Sequence, residues 1–314
     1  MSVGIPSMAV MDMTAAQRRT FEGLIGTGDR PAFPTDLAQR LRDRIEEAVR
    51  GLELAEPLWV TKERLNDHAR CDGLFQAGIL GEKPPFEHSL KSAAGTLLHR
   101  SIEVDVGSRD DLDAHAIAVR AAERLEDEPR FGPFWRELDR LGQDEILMEV
   151  VRRVTMFQSS FPPLRELRRE LAPVSELRLR SELLGGAVVL SGQVDLVLGR
   201  PDPTRPALAT RLAVDLKSGR AYPEYPEDMR LYALLMTLRF GVPPYLVASL
   251  FLDSGEWQAE EVSERTLQHA ADRVIAAARA AGALENARAP ELRPGVYCSW
   301  CPRRSTCPAS VARG

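Results

Sequence analysis

Lysine, cysteine and long apolar segments are all scarce in this sequence of 314 residues. Lys and Arg together number 41, of which only four are Lys, and Asp and Glu number 46, so the formal net charge is −5. A strong positive field over the whole chain is therefore excluded, and any contact with nucleic acid must use a local patch. The longest apolar stretch, near residues 231–238, falls far short of the ~18 residues that a membrane span needs. We therefore expect no membrane partner.

Two further absences narrow the function. The first 14 residues lack a positive segment followed by an apolar one, so we expect no secretory signal and a cytoplasmic protein. No G-x-x-x-x-G-K-[ST] segment is present, so the chain has no P-loop of its own and a separate helicase would have to supply any unwinding. Disorder is also excluded, because 44% hydrophobic and 28% charged residues are close to the globular averages.

Cysteine is limited to Cys71, Cys298, Cys301 and Cys307. Because none is left over and the last three follow a C-x2-C-x5-C spacing, the four fit a single four-ligand metal or iron–sulfur site. Zinc and an iron–sulfur cluster both accept four thiolates, so spacing alone leaves the metal open. The alternative is a set of incidental thiols beside a local turn.

The order of predicted elements indicates an α/β fold. Residues 1–55 show helical periodicity and predict a helical N-terminal extension, followed by one domain over residues 56–314. Within that domain the patterns predict helices over 61–75, 89–106, 226–240 and 264–283, and strands over 174–183, 188–198, 211–217 and 245–252. This order predicts a mixed β-sheet flanked by helices.

Acidic and basic residues interrupt two of these strands. Asp215 and Lys217 share one face of their strand about 6–7 Å apart, and Asp195 lies in an apolar strand, where a carboxylate is costly unless it is paired or binds metal. Two carboxylates and a lysine suit metal-assisted phosphodiester hydrolysis, because carboxylates hold a divalent cation and the cation lowers the pKa of bound water. The alternative is a structural ion pair between strands.

Two helices add candidates. Gly95, His99 and Glu103 follow at four-residue intervals in the helix over 89–106, so His99 could ligate a metal or be an ordinary boundary histidine. Asp228 and Tyr232 share a face of the helix over 226–240, where Tyr232 by itself would be a core residue.

The motifs taken in order resemble the RecB-like branch of the PD-(D/E)XK nuclease superfamily. G-x-x-x-H-x-x-x-E is followed by G-x-x-D, then D-x-K, then a helix with Tyr and Ala, while the segment ending at Cys71 and the C-terminal cysteine triplet resemble those of the iron–sulfur members. These members include AddB-type nuclease domains and CRISPR-associated exonucleases. Asp228 stands where the branch usually has Gln, and Asp72 where it has Pro.

The resemblance implies a restriction-endonuclease-like mixed sheet and a set of site residues. His99, Asp195, Asp215 and the carbonyl of Leu216 would ligate Mg2+ or Mn2+, Lys217 would serve the attacking water, and Tyr232 would support the site. Glu182 would be a further acidic residue of the catalytic set. The four cysteines would hold a [4Fe–4S] cluster, with structural zinc as the alternative.

The expected function is that of a metal-dependent DNA nuclease, an exonuclease acting on single-stranded or end-containing DNA in repair, recombination or phage defence. Arg303 and Arg304 would touch DNA, while Trp300 would touch DNA or pack on the cluster. The arginines between residues 152 and 180, Arg178 and Arg180 among them, would follow a phosphate backbone or form a solvated face. The alternatives are a non-catalytic DNA-binding scaffold that keeps the fold, and a zinc-clasped interaction module.

Overall fold

A computed structural model describes residues 13–26, 29–219 and 221–311 of the chain. Most of the segment searched for a secretory signal, residues 1–12, lies outside the described residues, as do residues 27–28 of the predicted extension, residue 220 and residues 312–314. No helix in the described ranges is long and apolar enough to cross a membrane.

The described part of the chain starts with helices and has a second helical block before most of the sheet. The helices are α1 (Ala15–Thr20, continued by a wide turn Phe21–Ile25), α2 (Leu37–Val49), α3 (Lys62–Arg70), α4 (Asp72–Ile79), α5 (Leu90–Gly107), α6 (Ala114–Leu125), α7 (Phe131–Glu137), α8 (Arg140–Ser160), α9 (Arg168–Leu171), α10 (Tyr225–Phe240), α11 (Glu264–Glu285) and α12 (Pro308–Val311).

Six strands form one mixed sheet, β1 (Leu58–Val60), β2 (Val174–Leu183), β3 (Val188–Leu198), β4 (Leu212–Lys217), β5 (Leu246–Phe251) and β6 (Glu256–Glu261). The order is β1-β3-β4-β5-β6, with β2 paired along the other edge of β3. β1 runs parallel to β3 and β4 parallel to β5, while the remaining pairs are antiparallel. The predicted mixed α/β sheet is confirmed.

The edge of β3 that faces away from β2 pairs with two different strands, and the gap between these two strands positions the site. β1 pairs with β3 residues 188–190, whereas β4 pairs with residues 196–198. Between the two ladders, β3 residues 191–194 pair only with β2, and Asp195 has no ladder partner among the described residues. The sheet therefore has an open notch beside Asp195, with β1 on one side and β4 on the other.

Helices cover both faces of this part of the sheet. Helix α10 packs against β2, β3, β4 and β5, and the second core layer comes from α11, which packs against α10 and α2. Helix α5 reaches β2 from the opposite face. The apolar stripe predicted in the N-terminal extension is buried in this core, through Leu37, Leu41, Ile45 and Val49.

The helix predicted over 61–75 is two helices, and that prediction was wrong. Cys71 adopts an extended backbone (φ −165°, ψ 129°) between α3 and α4, so the chain turns at the cysteine. Both halves carry buried residues at helical spacing, which explains why periodicity alone did not reveal the break.

Candidate active site

Three ligand-type side chains meet at the notch in the sheet. His99 reaches in from α5, Glu176 from β2 and Asp195 from β3. The Nδ1 atom of His99 lies 3.4 Å from Oδ1 of Asp195 and 3.5 Å from Oε1 of Glu176. Among the described residues, these three form the one group of three or more His, Cys, Asp or Glu residues whose ligand atoms all lie within 4.8 Å of each other. An imidazole and two carboxylates are a donor set that suits a divalent cation.

The two carboxylates of this group change the pKa of His99. Burial of the His99 ring opposes its protonation, but the charges of Asp195 and Glu176 and their hydrogen bonds to the ring outweigh that cost and raise the pKa of His99 to about 10. Burial alone would raise the pKa of Asp195. The charge of His99, its hydrogen bond to Asp195 and the hydrogen bond from the Leu216 N–H together hold that pKa below its usual value. The pocket therefore favours a positive charge at its centre.

The backbone at Glu176 is strained. Its φ of 53° lies in the left-handed region, which a residue with a side chain rarely adopts inside a strand. Glu176 stands opposite Asp195 at the point where the β2–β3 ladder skips one pair, and its Oε2 accepts a hydrogen bond from the Gln193 amide. Strain of this kind is concentrated at functional sites, because surrounding contacts must hold it in place.

Asp215 and Lys217 lie on β4 across the notch, on one face as predicted. Asp215 is 1% exposed, and its Oδ2 lies 2.6 Å from the Lys217 ammonium. That oxygen is buried, and among the described residues its partner is the Lys217 ammonium. Burial and the neighbouring Asp195 charge raise the pKa of Asp215, against the opposing effect of Lys217. The two aspartates thus have pKa values shifted in opposite directions, a pattern typical of catalytic carboxylate pairs.

The backbone of Leu216 joins the two aspartates. Its N–H donates a hydrogen bond of 2.6 Å to Oδ2 of Asp195, across the gap where the β3–β4 ladder has ended. Because the N–H and C=O of a strand residue point toward the same neighbour, the Leu216 carbonyl faces the same side. This is the carbonyl predicted as a metal ligand.

Lys62 and Tyr232 complete the wall of the notch. Tyr232 projects from α10 and is fully buried, while Lys62 begins α3 and has its ammonium 5.6 Å from the Tyr232 ring centroid. Burial opposes the charge of Lys62, but Tyr232 and Asp215 together raise its pKa. Burial in turn raises the pKa of Tyr232, so its hydroxyl stays protonated. Sequence reasoning missed Lys62, although the rarity of lysine in this chain was a signal.

The glycine of G-x-x-D has a steric explanation. A Cβ at Gly192 would lie 2.9 Å from Cε1 of Tyr232 and 3.0 Å from Cδ1 of Leu235. Only glycine lets α10 approach β3 closely enough to bring the Tyr232 hydroxyl to the notch.

Five of these residues line one cleft of about 1260 Å³, namely Lys62, His99, Glu176, Asp195 and Tyr232. Asp215 is buried behind this wall, on the neighbouring strand.

The family model of the PD-(D/E)XK nuclease superfamily matches residues 60–308, which include every residue of the notch. The chain belongs to the PD-(D/E)XK nuclease superfamily. Membership implies phosphodiester hydrolase activity, and PD-(D/E)XK nucleases use divalent metals.

Other comparisons give little more. No curated protein matches this nuclease. Among solved structures, SSO0001 is similar at 13% identity and a TM-score of 0.31, over 72% of this chain and 99% of that one. A candidate exonuclease from Eubacterium rectale is similar at 11% identity and a TM-score of 0.35, over 72% of this chain and 91% of that one. At such low TM-scores these likenesses add nothing to the family assignment.

The notch of this nuclease fits a divalent cation on its own evidence. His99, Glu176 and Asp195 bring three ligand atoms within 4.8 Å of one another, and two of the three residues are carboxylates. A hard cation prefers such oxygen donors and would balance their charge.

Glu182 is not part of this group. It is exposed on β2 and pairs with Arg180 at 2.7 Å, six residues from Glu176 on the same strand. Both side chains leave the same face, because they differ by an even number of positions. Glu176 belongs to the ligand group and Glu182 does not, because helix α5 brings His99 to the Glu176 end of β2.

The four cysteines all line one cavity of about 550 Å³ between α4 and the loop that follows α11. Burial raises the pKa of the Cys301 thiol, and the nearby thiols Cys71, Cys298 and Cys307 act in the same direction. Within the described ranges, however, no three of their sulfur atoms lie within 4.8 Å of one another.

The remaining predicted residues, Arg303, Arg304, Trp300 and Asp228, lie in different surroundings. Arg303 donates to both carboxylate oxygens of Glu82 and to Gln76, each at 2.6 Å, and its predicted contact with DNA stays a prediction. Arg304 and Trp300 are exposed, and their predicted contact with DNA stays a prediction. Asp228 is buried and accepts a hydrogen bond of 2.8 Å from Asn66, so it supports the core.

Proposed function

We propose that this chain is a metal-dependent DNA nuclease, an exonuclease that hydrolyses phosphodiester bonds in single-stranded or end-containing DNA. The observation that carries the proposal is the convergence of His99, Glu176 and Asp195 beside the buried Asp215–Lys217 pair. Structural ion pairs alone would not explain a strained glutamate and a histidine between two carboxylates at one notch.

Each side chain has a role that follows from its position. His99, Glu176, Asp195, Asp215 and the Leu216 carbonyl would hold Mg2+ or Mn2+, which supplies polarisation of the phosphate and a lower pKa for bound water. Lys217, fixed by Asp215, would orient that water as it attacks phosphorus. Water is the nucleophile, so no covalent intermediate forms.

Lys62 gives the site a second cation. Its ammonium lies close to Tyr232 and within the field of Asp215. We assign it to the non-bridging oxygens of the scissile phosphate, where a compact ammonium stabilises the charge that grows during attack. Tyr232 would keep Lys62 in place.

The cysteine cavity would hold a [4Fe–4S] cluster that clasps the C-terminal loop to α4. Four thiols around one cavity support this, and their separation favours it over zinc. Four sulfurs bound to one zinc at 2.3 Å would be only about 3.8 Å apart. The role would be structural, because the cavity and the notch have no lining residue in common.

This enzyme would work in DNA repair, recombination or phage defence. Its acidic net charge gives no general attraction to duplex DNA. A partner helicase would therefore supply single strands.

The test is digestion of 5′- and 3′-labelled single strands and blunt duplexes with Mg2+ or Mn2+, with a chelator control. We expect stepwise shortening of single strands that stops in chelator. Asp215→Asn and Lys217→Met should remove the activity, while Lys91→Met, an exposed lysine on α5, should keep it.

No hydrolysis by the intact protein with either metal would overturn the proposal. A protein that binds the strands without cutting them would instead be the non-catalytic scaffold.

A further inference from the structure

We propose that Trp59, Arg178 and Arg180 form a track that holds a single strand of DNA, with Trp59 stacking on an unpaired base. This inference rests on the proposed function and names the substrate feature that its cleft selects. The three side chains line the same cleft as His99 and Asp195.

The register of the sheet places these residues in a row that leads away from the metal ligands. Arg178 pairs with Gln193 and Arg180 with Ser191, and Trp59 on β1 pairs with Val189. Gln193, Ser191 and Val189 are two, four and six positions from Asp195, so all leave the same face of β3. The distance from Asp195 to the Trp59 end is roughly 20 Å at about 3.3 Å per residue.

The chemistry along the row changes from charge to an aromatic ring. Arg178 is exposed and forms no ion pair with any residue that the structure describes, so its charge is free for a phosphate. The Arg180 guanidinium pairs with the Glu182 carboxylate at 2.7 Å and lies 4.8 Å from the centre of the Trp59 ring, so it supports the ring, while 39% of Trp59 remains exposed.

This arrangement is the one that single-strand binding sites use. Cationic groups follow the phosphates, and an aromatic ring stacks on a base whatever its sequence. A paired base inside a duplex has no free face to offer, so Trp59 selects unpaired DNA. A row of roughly 20 Å spans about six stacked nucleotides, and fewer when the strand is extended.

The chain offers a matched control for the aromatic residue. Phe240 is 37% exposed and has the Arg211 guanidinium 4.3 Å from its ring, yet it does not line the cleft. Arg140, on α8, is the control for the arginines, because its side chain is 94% exposed and also lies outside the cleft.

The experiment measures binding of a fluorescent 12-nucleotide strand, without added divalent cation, from 50 to 200 mM salt. A second strand carries abasic linkers at six consecutive positions, and a third substrate is the blunt duplex. Trp59→Ala should weaken binding of the normal strand roughly 5- to 100-fold. It should change binding of the abasic strand and the duplex little, and Trp59→Phe should restore most of the affinity.

The arginine should have a different signature. Arg178→Ala should lower the salt slope of log affinity by about 0.7, the value for one phosphate of a single strand, whereas Trp59→Ala should leave the slope unchanged. Phe240→Ala and Arg140→Ala should bind like the wild type.

Equal binding by Trp59→Ala and wild type would overturn the inference, as would an equal loss on normal and abasic strands. If Trp59→Ala fails to fold, the wild type decides: equal affinity for the normal and abasic strands overturns it. Binding as expected without hydrolysis in Mn2+ would defeat the proposed function and leave this inference intact. Hydrolysis with Trp59→Ala binding unchanged would do the reverse.

Discussion

The proposed metal ligands and the cysteines are held by different kinds of structure. His99, Glu176 and Asp195 project from a long helix and two central strands. Three of the four cysteines lie in the segment after α11, where the described chain forms a short turn at Val296–Trp300 and the four-residue helix α12. Each charged group at the notch has a partner from the chain itself, such as Lys217 for Asp215.

The cysteine loop is attached by contacts at its margins. Arg288 pairs with Asp72 at 2.7 Å, and the Tyr297 hydroxyl donates to the Arg70 carbonyl at 2.9 Å. The side chains of the notch are therefore held in place by the sheet, whereas we expect the conformation of the cysteine loop to depend on what its thiols bind. Substitutions at the notch should therefore change chemistry, and substitutions at the cysteines should change stability.

The largest effect is expected at the Asp215–Lys217 pair. Lys217→Met should lower the rate of single-strand hydrolysis by roughly 10²–10⁴-fold, the scale for losing one positioned side chain that assists the attacking water. Single-turnover assays measure this, with thermal unfolding as the control for folding. A Lys217→Met variant that cuts at the wild-type rate would contradict the assignment of the notch as the active site.

The two glutamates of β2 provide a matched pair for the next effect. Glu176→Gln should weaken the apparent affinity for Mn2+ by at least the roughly 10–100-fold that loss of an outer-shell partner costs. Glu182→Gln should leave it unchanged, because Glu182 pairs with Arg180 outside the metal group. Titration of activity with Mn2+ measures both. Equal effects of the two substitutions would remove Glu176 from the ligand set.

Lys62→Met should slow hydrolysis by roughly 10–100-fold, the equivalent of one hydrogen bond to a charged group. The fall should appear in the chemical step more than in Mn2+ affinity, because Lys62 is assigned to phosphate. Rate and metal affinity should be compared with those of Lys91→Met. A change confined to metal affinity would contradict the assignment.

Cys301→Ser should affect the cysteine loop and the stability of the protein. We expect loss of bound iron and a lower midpoint of thermal unfolding, because the cluster would close the long loop between Cys71 and the C-terminal triplet. Anaerobic metal analysis and calorimetry measure these. A colourless wild-type protein with one zinc per chain would instead identify a zinc clasp.

The smallest effect is expected for the ion pair between Arg303 and Glu82. Both side chains are partly exposed, at 27% and 36%, so a double-mutant cycle should give a coupling energy of about 0.2–1 kcal/mol. Hydrolysis should not change. A large coupling would show that the loop is held by this pair more than by its thiols.

Local patterns were sufficient to predict much of the sheet and part of the site. The bounds of β3 match the prediction, and strict alternation correctly placed Asp215 and Lys217 on one face. His99 was found because its helical interval suggested a boundary position.

The rest depends on contacts between distant segments. Glu176 and Glu182 have the same parity on β2, and only the approach of α5 distinguishes them. The break at Cys71 was hidden because the helical period continues on both sides of it. The ion pair between Arg303 and Glu82 could not be predicted either, because the two residues are far apart in sequence.

The most direct measurement is a crystal structure of the protein soaked in Mn2+, with the metal located by its anomalous scattering. The account predicts a peak at the notch, about 2.0–2.3 Å from ligand atoms of His99, Glu176 and Asp195, with Lys217 on the far side of Asp215. A peak elsewhere, or none at the notch of an active protein, would contradict it.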